Sequence, residues 1–268
     1  MTSIRRIAIA AVIAAVPSVL LAGGSAQLAA SSEFCWRSIE PDYDLQGQSP
    51  AIPESMLVAA GPGEIWLARK FEERPLLRWA SGKWTAPEPV RDRLGPSPES
   101  VASSRTGRVV IAAAKYNDEN ATRELHIAEF TDGKWQWLGA PLISPGVRDT
   151  HAEDASFAFI GERPVVAWSE MRHARLAGLF VAMWDGSSWR RLGSLTPAGY
   201  DYFLTPVLAV DGKQRIWLAW NEDYGRTRVA RWDGSAWAYV GADSLERLSA
   251  EQGRSVRRQL SIAVDSKE

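Results

Sequence analysis

The chain is poor in several things, and each shortage narrows what it can be. It has one cysteine, Cys35, so no internal disulfide can form. Burial and backbone hydrogen bonds must hold the fold, and Cys35 reads as a small, partly buried side chain near the N-terminus. No tract of one charge sign occurs: 31 basic residues face 32 acidic ones, for a net charge of −1. That balance argues against nucleic acid as a partner. The longest apolar run, Ile7 to Ala22, falls short of the ~20 residues that a spanning helix needs. A phosphate-cradling glycine loop, a nucleophile elbow and an HExxH motif are all missing, and nothing points to a cofactor. His151, Glu153 and Asp154 are cation ligands by type, but three polar residues on one loop are a weak signal for a metal site.

The apolar run follows Arg5 and Arg6 and ends at Gly24-Ser25-Ala26. A basic start, a short apolar core and a small-residue cleavage site read as a secretory signal peptide over 1–26. No cysteine follows Leu21-Ala22-Gly23, which argues against a lipid anchor. The expectation is a periplasmic or secreted protein, free of the membrane after cleavage. Residues 27–54, with Pro41, Pro50 and Pro53, read as an extended lead-in, and 55–268 as the folded domain.

Tryptophan is abundant, and its placement is periodic. Trp79, Phe130, Trp184 and Trp232 are each followed, after four intervening residues, by Trp84, Trp135, Trp189 and Trp237. A repeat of about 50 residues points to a propeller or solenoid array. Four residues between two aromatics suit a two-residue hairpin turn flanked by one cross-strand pair, so the aromatics should face each other. Asp132-Gly133 suits a type I′ turn and Ser81-Gly82 is a poorer version, while Gly186-Ser187 and Gly234-Ser235 suit type II′.

Each repeat also carries an earlier hairpin. Its second strand is almost continuously apolar, as in Arg163-Pro164-Val165-Val166-Ala167-Trp168 and Arg215-Ile216-Trp217-Leu218-Ala219-Trp220. Such runs mark strands covered on both faces. Four antiparallel strands per repeat with no helix between them predict an all-β β-propeller. Four blades are recognisable, near 55–90, 99–139, 154–193 and 204–241. Leu260 to Asp265 resembles Val207 to Asp211 and predicts a strand over 259–265 that starts a fifth. Either it pairs with the N-terminal segment to close the ring, or the chain is shortened; the reading favours a truncated or imperfectly closed ring.

With strands A to D counted from the innermost, the B–C loops and the crossings between repeats share one face, and the tight A–B and C–D turns share the other. Function sits preferentially on varied loops. The candidate ligand-binding residues are therefore Asp149, His151, Glu153, Glu170, Arg172, Tyr200, Tyr202, Glu222 and Tyr224. The stretch Arg148 to Asp154 reads as a crossing loop. Glu170 and Glu222 recur after Trp168 and Trp220, and a carboxylate that recurs by repeat is expected to be structural before it is catalytic. No residue earns a catalytic role.

The hairpins Trp-Asp-Gly-Ser-Ser-Trp at 184–189 and Trp-Asp-Gly-Ser-Ala-Trp at 232–237 resemble, in architecture, the Asp-box turns of secreted bacterial sialidase-type propellers. The Asp, Gly and Trp types match that motif, S-x-D-x-G-x-x-W, and its spacing does not. The resemblance implies a glycoside hydrolase scaffold; the arginine set of those enzymes is not assignable here. The plan also resembles the small propeller lectins, in which aromatic faces stack on sugars and a loop carboxylate grips hydroxyls. The expectation is an exported, non-catalytic propeller that binds a glycan or a protein surface. The alternatives are a sialidase-like hydrolase on the same scaffold and a degenerate structural repeat protein.

Overall fold

The computed structural model describes residues 55–69, 76–87, 98–146, 148–173, 175–195, 205–222, 226–241 and 260–264. All of them belong to one compact unit, Ile52–Glu268. The signal peptide and lead-in expected from the sequence lie outside the described residues.

Among the described residues the fold is all β, with no helix. The first repeat holds β1 (Ser55–Gly61), β2 (Glu64–Arg69), β3 (Leu76–Ala80) and β4 (Lys83–Thr85). The second holds β5 (Pro98–Ser103), β6 (Val109–Asn117), β7 (Thr122–Thr131) and β8 (Lys134–Trp137). The third holds β9 (Thr150–Ile160), β10 (Arg163–Arg172), β11 (Arg175–Trp184) and β12 (Trp189–Leu195). The fourth holds β13 (Val207–Val210), β14 (Ile216–Glu222), β15 (Arg226–Trp232) and β16 (Trp237–Tyr239). Each repeat is an antiparallel meander. The first and fourth form separate four-stranded sheets, and the middle two join into one eight-stranded sheet through a parallel contact of β7 with β9.

The aromatic pairs face each other in all four repeats. Trp79 is opposite Trp84, Phe130 opposite Trp135, Trp184 opposite Trp189 and Trp232 opposite Trp237. Their ring centroids lie 5.6, 5.1, 5.4 and 5.4 Å apart. Ser81 and Asp132 both take positive φ, followed by Gly82 and Gly133, as type I′ turns require. The other two turns differ from the expectation in how they close. Gly186 and Gly234 have positive φ, but one closing acceptor is a side chain. Asp185 Oδ1 takes the amides of Ser187 and Ser188, each at 2.8 Å, and Asp233 Oδ1 takes those of Ser235 and Ala236, each at 2.7 Å. The Asp185 and Asp233 amides still donate to the Ser188 and Ala236 carbonyls at 3.1 and 3.0 Å, so the carboxylate, a stronger acceptor than a peptide carbonyl, takes over only the return bond.

Tryptophan also joins one repeat to the next. The Trp189 indole donates to the Leu138 carbonyl at 2.6 Å, and the Trp237 indole donates to the Leu192 carbonyl at 2.7 Å. Between successive repeats lie three apolar clusters. Trp66, Ile111 and Ala128 centre the first, Leu125, Val166 and Trp168 the second, Leu179, Leu218 and Trp220 the third. The continuous apolar run of β10 is explained by this layering, since Pro164 to Met171 are buried without a break.

Two expectations are corrected. Residues 260–264 carry no strand among the described residues; a strand needs an edge that supplies partners, and no described edge pairs with them. The stretch read as a loop from Arg148 to Asp154 is strand from Thr150 onward, because β9 starts early and finds partners on β10 and β7.

Buried aspartate at the β13–β14 turn makes stability depend on pH. Asp211 accepts from the Lys213 and Arg215 amides, from Arg215 Nε at 2.6 Å and from the Trp217 indole at 2.9 Å. Burial alone would raise its pKa; these bonds, led by the Trp217 indole, outweigh it and hold the carboxyl down to about 2. The backbone amides at Asp185 and Asp233 hold those carboxyls below the ordinary range as well. A folded-state pKa below the unfolded value means that the unfolded chain takes up protons first as pH falls. Stability is therefore fully present above about pH 4 and is lost as pH falls toward about 2. Urea unfolding measured across that window should show this loss, and Asp211→Asn should flatten it. An equal slope in the variant would remove Asp211 from the account.

Candidate functional site

The candidate site is built where β6 turns into β7 and β9 begins. The extended start of β9 lies between β10 and β7, with Glu153 opposite Ser169, His151 opposite Met171, and a parallel pairing of Arg123 with His151. A bulge makes this possible. Between the Ala167–Ser156 and Ser169–Glu153 pairs, β9 carries one extra residue, and Asp154 there has φ 53°. One extra residue shifts the register and re-aims every side chain beyond it. Asp149, at φ 54°, and His173, at φ 50°, are strained at the same end.

Arg123 is the hub. Its Nη2 donates to Glu99 Oε1 at 2.7 Å, and its Nη1 lies 3.7 Å from Glu153 Oε1. Glu99 is 6% exposed, so the guanidinium compensates a buried acid. Glu153 Oε1 lies 4.0 Å from His151 Nδ1. The His151 ring meets the Tyr116 ring edge to face at 6.4 Å, and Tyr116 is 52% exposed. Beside them Glu124 accepts from Asn117 Nδ2 at 2.8 Å and lies 3.6 Å from His126 Nε2. Burial pushes His126 below its ordinary value, against the pull of Glu124, so this imidazole is neutral at pH 7. Together these groups present an exposed aromatic ring, a half-exposed imidazole and a guanidinium held between two carboxylates.

The sequence-derived candidates divide. His151 and Glu153 are brought together. Asp149 and Arg172 are exposed at the same end. Glu170 lies beneath the surface: it is 0% exposed, its Oε1 accepts from the Trp168 indole at 3.0 Å, and its Oε2 has no hydrogen-bond partner. Glu222 ends β14, with its backbone opposite Arg226. Tyr200, Tyr202, Tyr224 and the side chain of Glu222 lie outside the described residues. Sequence reasoning missed Glu99, Tyr116 and Arg123. Strand order holds the usable signal: the start of strand A, the end of B and the start of C always meet at one end of a meander. No group of three or more metal-binding side chains occurs among the described residues.

No protein-family model matches the chain, and no curated protein does. Solved structures do. A thermostable family-43 glycoside hydrolase superposes with a TM-score of 0.50 at 10% identity, covering 75% of this chain and 78% of that one. An α-L-arabinofuranosidase from Fusarium graminearum, bound to an iminosugar inhibitor, gives 0.45 at 10% identity over 73% of this chain and 68% of its own. A variant of the Aleuria aurantia lectin in complex with Fucα1-6GlcNAc gives 0.43 at 15% identity, over 70% and 62%. At such identities the likeness is one of fold, and the architecture is β-propeller-like.

Proposed function

We propose that this chain is an exported, non-catalytic propeller module that binds a glycan at the end carrying Tyr116, Arg123, His151 and Glu153. Its four meanders act as blades, and Asp149 and Arg172 border the site. The observation that carries the reading is the exposed Tyr116 ring packed on His151 beside the Glu99–Arg123–Glu153 network. Sugars present an apolar C–H face and a rim of hydroxyls. An exposed ring takes the first, and ionised donors and acceptors held by one another take the second. The fold shared with a glycoside hydrolase supports a carbohydrate ligand by analogy. Hydrolysis is the second reading, and it needs two carboxyls set on either side of a bond. Here Glu99 and Glu153 converge on one guanidinium, an arrangement suited to holding a ligand.

The test is a glycan array followed by titration of the best ligand. Tyr116→Ala and Glu153→Ala should each weaken binding about tenfold or more, the equivalent of ~1.4 kcal/mol. Unchanged affinity in both variants would move the site elsewhere. Turnover of the bound glycan, lost on a single carboxylate substitution, would replace binding by catalysis.

A further inference from the structure

Two grooves start at the tight turns of the third and fourth repeats and run along β12, and they differ in charge from the Arg123 site. They flank the β15–β16 hairpin. One, of about 690 Å³, runs between β12 and β15–β16, and Arg190, Arg191, Ser194 and Tyr239 are among its lining. The other, of about 300 Å³, is lined in part by Arg163, Arg190, Arg215 and Asp233. Arg190, Leu192, Trp232 and Gly234 line both, so the grooves form one track across the hairpin.

The track is cationic by construction. Its larger part has no acidic residue in its lining, and its smaller part has only Asp233. That carboxylate is occupied by the Ser235 and Ala236 amides and the Ser235 hydroxyl. Arg215 is held by Asp211 at 2.6 Å, and Arg191 by the Ile143 carbonyl at 2.6 Å. Arg163 and Arg190 are exposed and have no acid partner among the described residues. Two unneutralised guanidinia along a track, in a chain whose net charge is −1, are matched by an anionic ligand that is long enough to reach both. Tyr239, 53% exposed, adds an aromatic surface, and Ser194 adds a hydroxyl. A ring, a hydroxyl and guanidinia in one groove fit a sugar chain better than a bare ion.

We propose that the Arg163–Arg190–Tyr239 track binds a linear polyanionic glycan, sulfated or carboxylated, independently of the Arg123 site. The experiment titrates the full chain with heparin, polygalacturonate and a neutral dextran. Binding of at least one polyanion and not of dextran is expected, weakening from about 50 to about 500 mM salt as screening grows. Arg163→Glu/Arg190→Glu should weaken it at least tenfold. Lys83→Glu/Lys134→Glu makes the same charge change on the exposed hairpins of the first two repeats and should leave it intact. The preference between heparin and polygalacturonate tells sulfate from carboxylate. No binding to either polyanion, equal weakening by the two double variants, or equally tight binding of polyglutamate would overturn the proposal. Because Tyr116→Ala reports only on the Arg123 site, failure here and failure there are separable.

Discussion

Trp168→Ala is expected to be among the most destabilising single substitutions in the chain. The ring is 0% exposed in the cluster between the second and third repeats. It stacks on Phe180 at 5.6 Å, with the Arg191 guanidinium 5.3 Å from its centroid. Truncating a buried tryptophan costs about 3–5 kcal/mol. It also removes the indole that donates to Glu170 Oε1 at 3.0 Å. The carboxylate would then hold two buried oxygens with no donor, since Oε2 already has none. An unsatisfied buried polar group costs a further ~1–3 kcal/mol. Trp168→Phe separates the terms, because it keeps most of the ring and loses the N–H. Urea unfolding should place the phenylalanine variant between wild type and alanine. A phenylalanine variant as stable as wild type would show that the Trp168–Glu170 bond contributes nothing.

Gly107→Ala should come close to it by a different route. Gly107 lies in the turn between β5 and β6 at φ 89°, and a Cβ built there falls 2.2 Å from the Ala60 carbonyl oxygen on β1. That atom is backbone, so no rotamer change relieves the overlap. The left-handed φ costs about 1–3 kcal/mol for a residue with a Cβ, and forcing the first two repeats apart adds roughly as much. Gly133→Ala is the internal comparison: φ is 77°, and nothing lies within 4 Å of the added carbon. It should pay the conformational cost alone. Equal loss of stability in the two variants would show that the contact between β1 and this turn is not a tight one.

The reach of the sequence differs between scaffold and site. The facing pairs Trp184–Trp189 and Trp232–Trp237 were legible because a two-residue turn fixes register locally. The burial of β10 was legible because an unbroken apolar run admits few other readings. His151 and Glu153 were legible as polar residues between two repeats. Their partner Arg123 was not, because it joins them through the parallel contact of β7 with β9, which spans two repeats. Glu170 was legible as a recurrent acid, yet its depth was not. Whether a carboxylate at a strand end meets water or the neighbouring repeat depends on what packs above it.

By itself, then, the sequence determined what is local and periodic: strand succession, hairpin register, and the layered apolar faces that make stacking of repeats the way to remove them from water. The tertiary structure alone decided what depends on distance in space. It set the bulge at Asp154, which re-aims Glu153, and the convergence of Glu99 and Glu153 on Arg123. It also aligned Arg163 with Arg190 along the grooves beside the fourth hairpin. The reason is physical. Periodicity records which face of a strand is buried, a property of neighbours in the chain. A binding site is a meeting of side chains from different strands, and its geometry is set by how whole sheets pack and where one register slips.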